Sequence, residues 1–230
     1  MNSLEQASPL EIKKWSKQIL DDEVVKQICR IAETSFPPEE REPCQTLIKT
    51  IQDGRSILYT ASVNNLILGF TKLTPLAKTD LYLMEYLAVD VKSRNQGIGR
   101  KILQFIRKDL KKMKARGLIL EVEQPNESNG EERGIRQRRI QFYQRNGAQM
   151  VLDGNTYRMP NLAGEGSLPM HLMWLPIEKG ARPPRKLSLP GLITLIFTET
   201  YGGEENETLL RSILERLPDP NAPIELGGSQ

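Results

Sequence analysis

The most informative segment of the sequence reads Leu87-Ala88-Val89-Asp90-Val91-Lys92-Ser93-Arg94-Asn95-Gln96-Gly97-Ile98-Gly99-Arg100. It predicts a strand that passes through a short turn directly into a helix. Two glycines separated by one residue let the backbone approach a ligand closely, and the N–H groups at the start of a helix carry positive potential. Arg94 and Arg100 add formal charge beside the turn. The segment therefore predicts an anion site that suits a pyrophosphate.

The two common phosphate-binding fingerprints do not account for this turn. A dinucleotide fingerprint needs a third glycine three residues after Gly99, where the sequence has Ile102, and it belongs to a parallel βαβ unit. A Walker-type loop needs Gly-Lys-Ser or Gly-Lys-Thr, which the segment lacks. The pyrophosphate ligand therefore belongs to another class.

The surroundings of the turn indicate an antiparallel meander followed by a long amphipathic helix. Segments rich in Leu, Ile, Val and Tyr lie at 56–63, 66–73 and 81–91, and Asn64-Asn65 is a tight hairpin turn between the first two. A helix at 97–115 then carries apolar residues every four positions, at Ile98, Ile102, Ile106 and Leu110.

The rest of the chain adds helices before the meander and further strands and helices after the long helix. Residues 10–15 form a short strand or begin a helix, and helices are predicted from Asp21-Asp22 onward and at 39–51. The later predictions are a strand at 118–123, a basic helix at 135–145, strands at 150–152 and 170–177 joined by a loop at 160–169, and helices at 192–201 and 208–217. A linker rich in Pro and Arg at 179–186 marks a boundary.

Composition narrows the protein class. The 230 residues suit one large domain, or one domain with an appendage, and the 32 basic and 29 acidic residues give a net charge of only +3, which argues against a nucleic-acid binder. Two cysteines, Cys29 and Cys44, are too few for a disulfide framework or a zinc cluster, and the single His171 argues against a Ser-His-Asp triad. No apolar run approaches the roughly 20 residues of a membrane helix. We expect a soluble cytoplasmic protein that binds neither nucleic acid nor membrane.

The turn Arg94-x-x-Gly97-x-Gly99 resembles the acetyl-CoA signature of the GNAT superfamily of acetyltransferases. The Leu-Ala-Val strand before it, the amphipathic helix after it and the order of elements over roughly residues 10–177 are also similar to that family. The resemblance implies an α/β (α+β) fold with a mixed, mostly antiparallel central sheet flanked by helices. It implies a GNAT domain at 1–180, followed by a C-terminal extension at 181–230 that we expect to be helical with a flexible tail.

The resemblance also implies a binding mode for acetyl-CoA as acyl donor, with no metal. Backbone amides of residues 96–100 would hold the pyrophosphate, the strand backbone would bond the pantetheine arm, and Arg100 and Lys101 would meet the 3′-phosphate or form a solvated helix face. The implied cofactor-binding residues are Leu87, Ala88, Val89, Arg94, Asn95, Gln96, Gly97, Ile98, Gly99 and Arg100.

A second family element is Phe142-Tyr143-Gln144-Arg145-Asn146-Gly147-Ala148. It is similar to the GNAT segment whose tyrosine protonates the departing CoA thiolate, so the resemblance implies that role for Tyr143. A phenol with a pKa of about 10 can hydrogen-bond a developing thiolate and then protonate it. Arg136 and Arg139 stand where many relatives have Asn and Ala, so an Asn contact to the cofactor is in doubt.

Three glutamates are candidates for the group that takes the proton of an attacking amine. Glu85 lies among leucines on the strand before the turn, Glu121 sits at a position where some GNAT enzymes place their base, and Glu123 shares its strand face. Glu121 and Glu85 rank equally as catalytic candidates, and the competing interpretation of each glutamate is an ion pair with an arginine. His171 is predicted to be a satisfied core or edge histidine, with a place in the acceptor cleft as the alternative that the resemblance leaves open. Tyr157 and Trp174 are predicted to be packing residues.

The function predicted from these residues is acetyl transfer from acetyl-CoA to a primary amine by direct attack. Two alternatives stay open, namely an acyl-CoA-binding module without turnover and an interaction module built on the C-terminal extension. The acceptor is a small molecule or a peptide, which the sequence does not identify. It also leaves open whether the chain forms a homodimer.

Overall fold

A computed structural model of the chain describes residues 8–125, 130–217, 219 and 221–227. The strands of this part are β1 (Glu11–Trp15), β2 (Ile57–Val63), β3 (Leu66–Pro75), β4 (Leu81–Val89), β5 (Gly117–Glu123), β6 (Gln149–Leu152), β7 (Arg158–Pro160) and β8 (Ser167–Pro176). Its α-helices are α1 (Asp22–Ser35), α2 (Cys44–Gln52), α3 (Ile98–Lys112), α4 (Gly130–Arg145), α5 (Leu189–Thr200) and α6 (Glu207–Leu214).

The chain divides into two compact units that interleave along the sequence. The first unit comprises Met1–Lys72 and Tyr86–Ile106, and the second unit comprises Leu73–Glu85 and Arg107–Gln230. Strands β3 and β4 and helix α3 contribute residues to both. Hydrogen-bonded strands follow the order β1-β2-β3-β4 in the first unit and β3-β4-β5-β8-β6 in the second, where β7 also pairs with β8.

Strand directions confirm the predicted fold class. Strand β4 pairs with β5 in parallel, whereas β1 with β2 and each of β5, β6 and β7 with β8 pair antiparallel. The result is a mixed, mostly antiparallel sheet with flanking helices.

The first unit has its own hydrophobic core. The apolar faces of α1 and α2 pack on the sheet, and the fully buried members include Ile28, Ile31, Ile51, Leu58 and Phe70. The hairpin between β2 and β3 turns at Asn64-Asn65, where both residues have positive φ, as the sequence predicted. Cys29 and Cys44 form a disulfide, with Cα atoms 5.6 Å apart, that links α1 to the first residue of α2.

One predicted helix is shorter than expected. The sequence suggested a helix over 39–51, but a short 3-10 helix covers Pro38–Glu40, and α2 begins only at Cys44. Pro43 explains the break, because a proline disfavours helical conformation in the residue before it while fitting well at a helix start.

The second unit is built around a larger apolar cluster that includes the C-terminal helices. Trp174 on β8 packs against Gly117 on β5, where any side chain would collide with the indole. Helix α5 buries Leu192, Ile196 and Phe197 completely in the same cluster. Residues beyond the predicted boundary at 179–186 therefore contribute to this core.

Elements of the second unit differ from the sequence prediction at their boundaries. Helix α4 begins at Gly130 rather than at 135, and β8 begins at Ser167, inside the segment predicted as a loop. Strand β7 was not predicted, and it overlaps that loop only at Pro160. A three-residue strand is too short to show a period of two in the sequence, so hydrophobic pattern could not reveal it. Among the residues that the structure describes, no helix has the length and apolar character needed to cross a bilayer.

Candidate active site

Asp90 fixes the start of the glycine-containing turn. Its side chain is buried, accepts a hydrogen bond from the Lys92 N–H at 3.0 Å and pairs with Arg30 at 2.8 Å. The backbone N–H of Asp90 donates to the Leu68 carbonyl at 2.8 Å, which ties the end of β4 to β3. The chain is therefore held in place immediately before the predicted anion site.

The turn needs a glycine for its backbone conformation. Gly97 has φ +76°, and a Cβ there would meet nothing within 4 Å, so conformation rather than space selects glycine. Helix α3 starts at Ile98, whose side chain is buried and anchors the first turn, while Gln96 and Arg100 are exposed. The first N–H groups of a helix have no acceptor within it, so this turn presents the donors that an anion requires.

Arg94 and the last residues of β4 lie next to the glycine-containing turn in the first unit. The Arg94 Nε donates to the Val89 carbonyl at 3.3 Å. Ala88 is buried against β3, where a Cβ on Gly69 would lie 2.7 Å from the Ala88 carbonyl oxygen, so the two strands approach closely. Leu87 and Val89 are half-buried. Cofactor binding by these residues stays a prediction.

In the second unit, two carboxylates follow the last pair of the parallel ladder. Pairing of β4 with β5 runs from Leu81↔Gly117 to Met84↔Leu120, and Glu85 and Glu121 are the next residue on each strand. The Thr74 hydroxyl donates a short hydrogen bond to Glu85. Both catalytic candidates thus lie together at the end of the ladder.

Glu121 accepts two tyrosine hydrogen bonds. The Tyr157 hydroxyl donates to Oε1 at 2.5 Å, and the Tyr201 hydroxyl donates to Oε2 at 2.6 Å. Burial raises the pKa of Glu121 to about 7, the two phenol donors oppose that rise, and the charge of Glu85 adds to it. A carboxylate with this pKa is partly ionised at neutral pH and can still accept a proton, as a general base must.

Glu123 is engaged elsewhere. Its buried carboxylate forms a close ion pair with Arg139 of α4, while Arg136 of the same helix donates to the Gln124 carbonyl at 3.2 Å and pairs with Glu132 at 2.6 Å. The ion-pair interpretation therefore holds for Glu123. The two arginines that depart from the family pattern are occupied in joining α4 to the end of β5.

Tyr143 lies at the C-terminal end of α4 and is 7% exposed. The helix ends as predicted, because Gly147 adopts φ +91° and the Ala148 N–H returns to the Tyr143 carbonyl at 2.9 Å. Burial raises the pKa of Tyr143 to about 12, with a smaller opposing effect of the Arg139 charge. The phenol is therefore a proton-bearing donor at every physiological pH.

His171 and Trp174 behave as packing residues. His171 Nδ1 accepts the Gly154 N–H at 3.1 Å, and the Trp174 indole donates to the Ala181 carbonyl at 3.0 Å. The prediction for Tyr157 was incomplete, since its hydroxyl binds Glu121, and Tyr201 was not singled out at all. These contacts span 36 and 80 residues of sequence, and nothing near either tyrosine signals them. In the described ranges, no group of three or more His, Cys, Asp or Glu side chains is arranged to hold a metal ion.

A family model matches the part of the chain that contains the turn before α3, Glu85, Glu121 and Tyr143. Residues 54–147 match the model of the acetyltransferase (GNAT) domain. The chain carries a GNAT acetyltransferase domain. Its predicted family and its class as an acyltransferase are thereby confirmed, with acetyl transfer as the general activity.

Solved structures show the same GNAT fold over most of the chain. A Bacteroides thetaiotaomicron protein assigned to the GNAT acetyltransferases is similar with a TM-score of 0.65 and 26% identity, covering 84% of this chain and 98% of that one. An aminoglycoside 6′-N-acetyltransferase complexed with coenzyme A gives a TM-score of 0.56 at 15% identity, covering 76% and 99%. The Escherichia coli ribosomal-protein-S18-alanine N-acetyltransferase gives 0.53 at 21%, also covering 76% and 99%. No curated protein sequence matches the chain.

Proposed function

We propose that this protein transfers an acetyl group from acetyl-CoA to a primary amine, which attacks the thioester directly. The observation that carries the proposal is Glu121, a carboxylate with a pKa of about 7 at the end of the β4–β5 ladder of a GNAT domain. An amine must lose a proton to react, and a base of this strength takes it near neutral pH.

Acetyl-CoA binding is assigned to the turn before α3. Support comes from the positive φ of Gly97, the helix start at Ile98 and the exposed Arg94 and Arg100. A relative of the same fold, the aminoglycoside acetyltransferase, was solved with coenzyme A. In this assignment the amides of residues 96–100 hold the pyrophosphate, and the backbone of Leu87 and Val89 bonds the pantetheine arm.

Two side chains and the backbone amides carry out the chemical step. Glu121 accepts a proton from the amine, whose nitrogen lone pair forms the new C–N bond at the thioester carbon. The resulting oxyanion is stabilised by backbone amides and collapses with cleavage of the C–S bond. Tyr143 donates its proton to the departing thiolate, the role that the family assigns to this position.

Thiol release from acetyl-CoA, measured against polyamines, peptides with free N-termini and lysine, tests the proposal. We expect turnover with at least one amine, with kcat/KM rising through pH 7, and a loss of about 10²-fold or more at pH 7 in Glu121→Gln. Glu199→Gln, which changes an exposed carboxylate on α5, is the matched control and should keep full activity.

Two other variants separate the outcomes. Arg100→Glu should abolish coenzyme A binding in calorimetry, whereas Glu121→Gln should bind it normally. Tight coenzyme A binding without transfer to any amine would instead support an acyl-CoA-binding module. Glu121→Gln with unchanged activity, together with a loss in Glu85→Gln, would move the base to Glu85.

A further inference from the structure

We propose that Tyr201, supplied by the C-terminal helical segment, is a positioning residue of the active site that acts together with Tyr157 to hold the Glu121 carboxylate for proton transfer. This inference rests on the proposed function, because it assigns Glu121 the role of base. Tyr201 lies beyond residues 54–147, which match the GNAT domain model.

The geometry gives each carboxylate oxygen of Glu121 its own donor. Tyr157 binds Oε1 at 2.5 Å and Tyr201 binds Oε2 at 2.6 Å. With both oxygens held, rotation of the carboxylate would break a charge-assisted hydrogen bond. The carboxylate is therefore set in one orientation before a substrate arrives, which is the condition for efficient proton transfer.

Both tyrosines are themselves fixed. Tyr157 is fully buried in the core of the second unit, and its carbonyl accepts the Met170 N–H at 3.1 Å. The Tyr201 N–H donates to the Phe197 carbonyl at 3.0 Å, its own carbonyl accepts the Asn206 side chain at 2.6 Å, and its ring lies 5.5 Å from the Phe197 ring. Both phenols thus approach Glu121 from residues that are held by packing and hydrogen bonds of their own.

The groups that face Glu121 also set its proton affinity. Glu85 on β4 disfavours the charged form, and the two phenol donors favour it. On β8, the residue paired with Glu121 is Leu172, which does not titrate. Removing the Tyr201 hydroxyl therefore raises the pKa of Glu121, so that the base is ionised only at higher pH.

The test is the pH dependence of kcat/KM in Tyr201→Phe, which keeps the ring and its contact with Phe197. We expect the acid limb to move upward by about one pH unit, from the typical strength of a hydrogen bond to a charged group. Activity at pH 7 then falls several-fold and recovers near pH 9. Tyr82→Phe is the control, because alternation along β4 places Tyr82 on the face opposite Glu85, and its profile should match that of the unchanged protein.

A second measurement does not depend on turnover. Carbon-13 NMR follows the titration of the Glu121 carboxyl group directly, and the signal is assigned by its disappearance in Glu121→Gln. The measurement is made on the full-length protein and on its Tyr201→Phe and Tyr82→Phe variants. An upward shift in Tyr201→Phe alone supports the inference even if no amine is acetylated, an outcome that would overturn only the proposed function. An unmoved titration, or a uniform loss of activity at all pH values with unchanged thermal stability, would overturn the role of Tyr201.

Discussion

Burial has opposite chemical uses at the two side chains that the family resemblance singled out. It raises the pKa of Glu121 into the neutral range, where a carboxylate becomes a useful base. It raises the pKa of Tyr143 to about 12, which keeps the phenol protonated. Burial therefore favours the proton-bearing form of both side chains, which brings the pKa of Glu121 to neutrality and keeps the Tyr143 phenol protonated.

Tyr143→Phe is expected to lower kcat by about 10²-fold while leaving coenzyme A binding unchanged, because only the donor to the leaving thiolate is lost. Since the phenol pKa is raised, activity of the unchanged protein should not decline up to about pH 10. Thiol-release kinetics across pH test both statements. Full activity in Tyr143→Phe, or a decline centred near pH 9 that Tyr143→Phe abolishes, would contradict the assignment.

The sequence singled out some of these candidate residues and not others, for a physical reason. The local sequence pattern predicts the strands and the helix that contain Glu121, Glu85 and Tyr143, and it resembles that of the GNAT family. Tyr157 and Tyr201 act through contacts that only the folded chain creates, and their own neighbourhoods resemble ordinary core segments.

Among the elements, α4 and β5 are joined by the buried pair of Arg139 and Glu123. Arg139→Met is expected to lower the free energy of unfolding by about 3 kcal/mol, because it leaves a buried carboxylate without its counter-ion. Urea unfolding measures the loss. Arg138→Met on the exposed side of the same helix should change it by less than about 0.5 kcal/mol.

Adding Glu123→Gln to Arg139→Met provides the cross-check. Removal of the orphaned charge should recover much of the lost stability, whereas additive losses would show that the pair does not account for the effect.

Element boundaries agreed with the sequence prediction where the chain has residues that favour a turn or a helix end. Asn64-Asn65 and Gly147 ended their elements as predicted, since positive φ is a local property. The break at Pro43 was missed because the charged residues 39–42 carry no apolar pattern that would locate the start of the helix, and β7 was missed because its existence depends on pairing with β8. Local chemistry therefore gives ends of elements more reliably than it gives short strands.

At the level of the whole molecule, the C-terminal segment contributes to the core of the second unit. Deletion of residues 187–230 should give an insoluble or unfolded protein, because it removes the fully buried Leu192, Ile196 and Phe197 from the cluster that contains Trp174. Soluble yield and cooperative thermal unfolding are the measurements. A soluble deletion variant that unfolds cooperatively would show instead that the segment is a separable appendage.

Single substitutions on α5 also test whether this helix stabilises the core of the second unit. Phe197→Ala should cost about 3 to 5 kcal/mol as a buried aromatic ring is lost, whereas Thr194→Ala on the exposed face of α5 should be nearly neutral.

The interleaving of the two units along the chain limits how the protein can be divided. Leu73–Glu85 belongs to the second unit but is covalently enclosed between the two pieces of the first. No single cut separates the two units from each other, and ribosomal synthesis completes the first unit only after part of the second has emerged. Splitting the chain for segmental isotope labelling or two-fragment complementation would therefore leave at least one fragment that carries residues of both units.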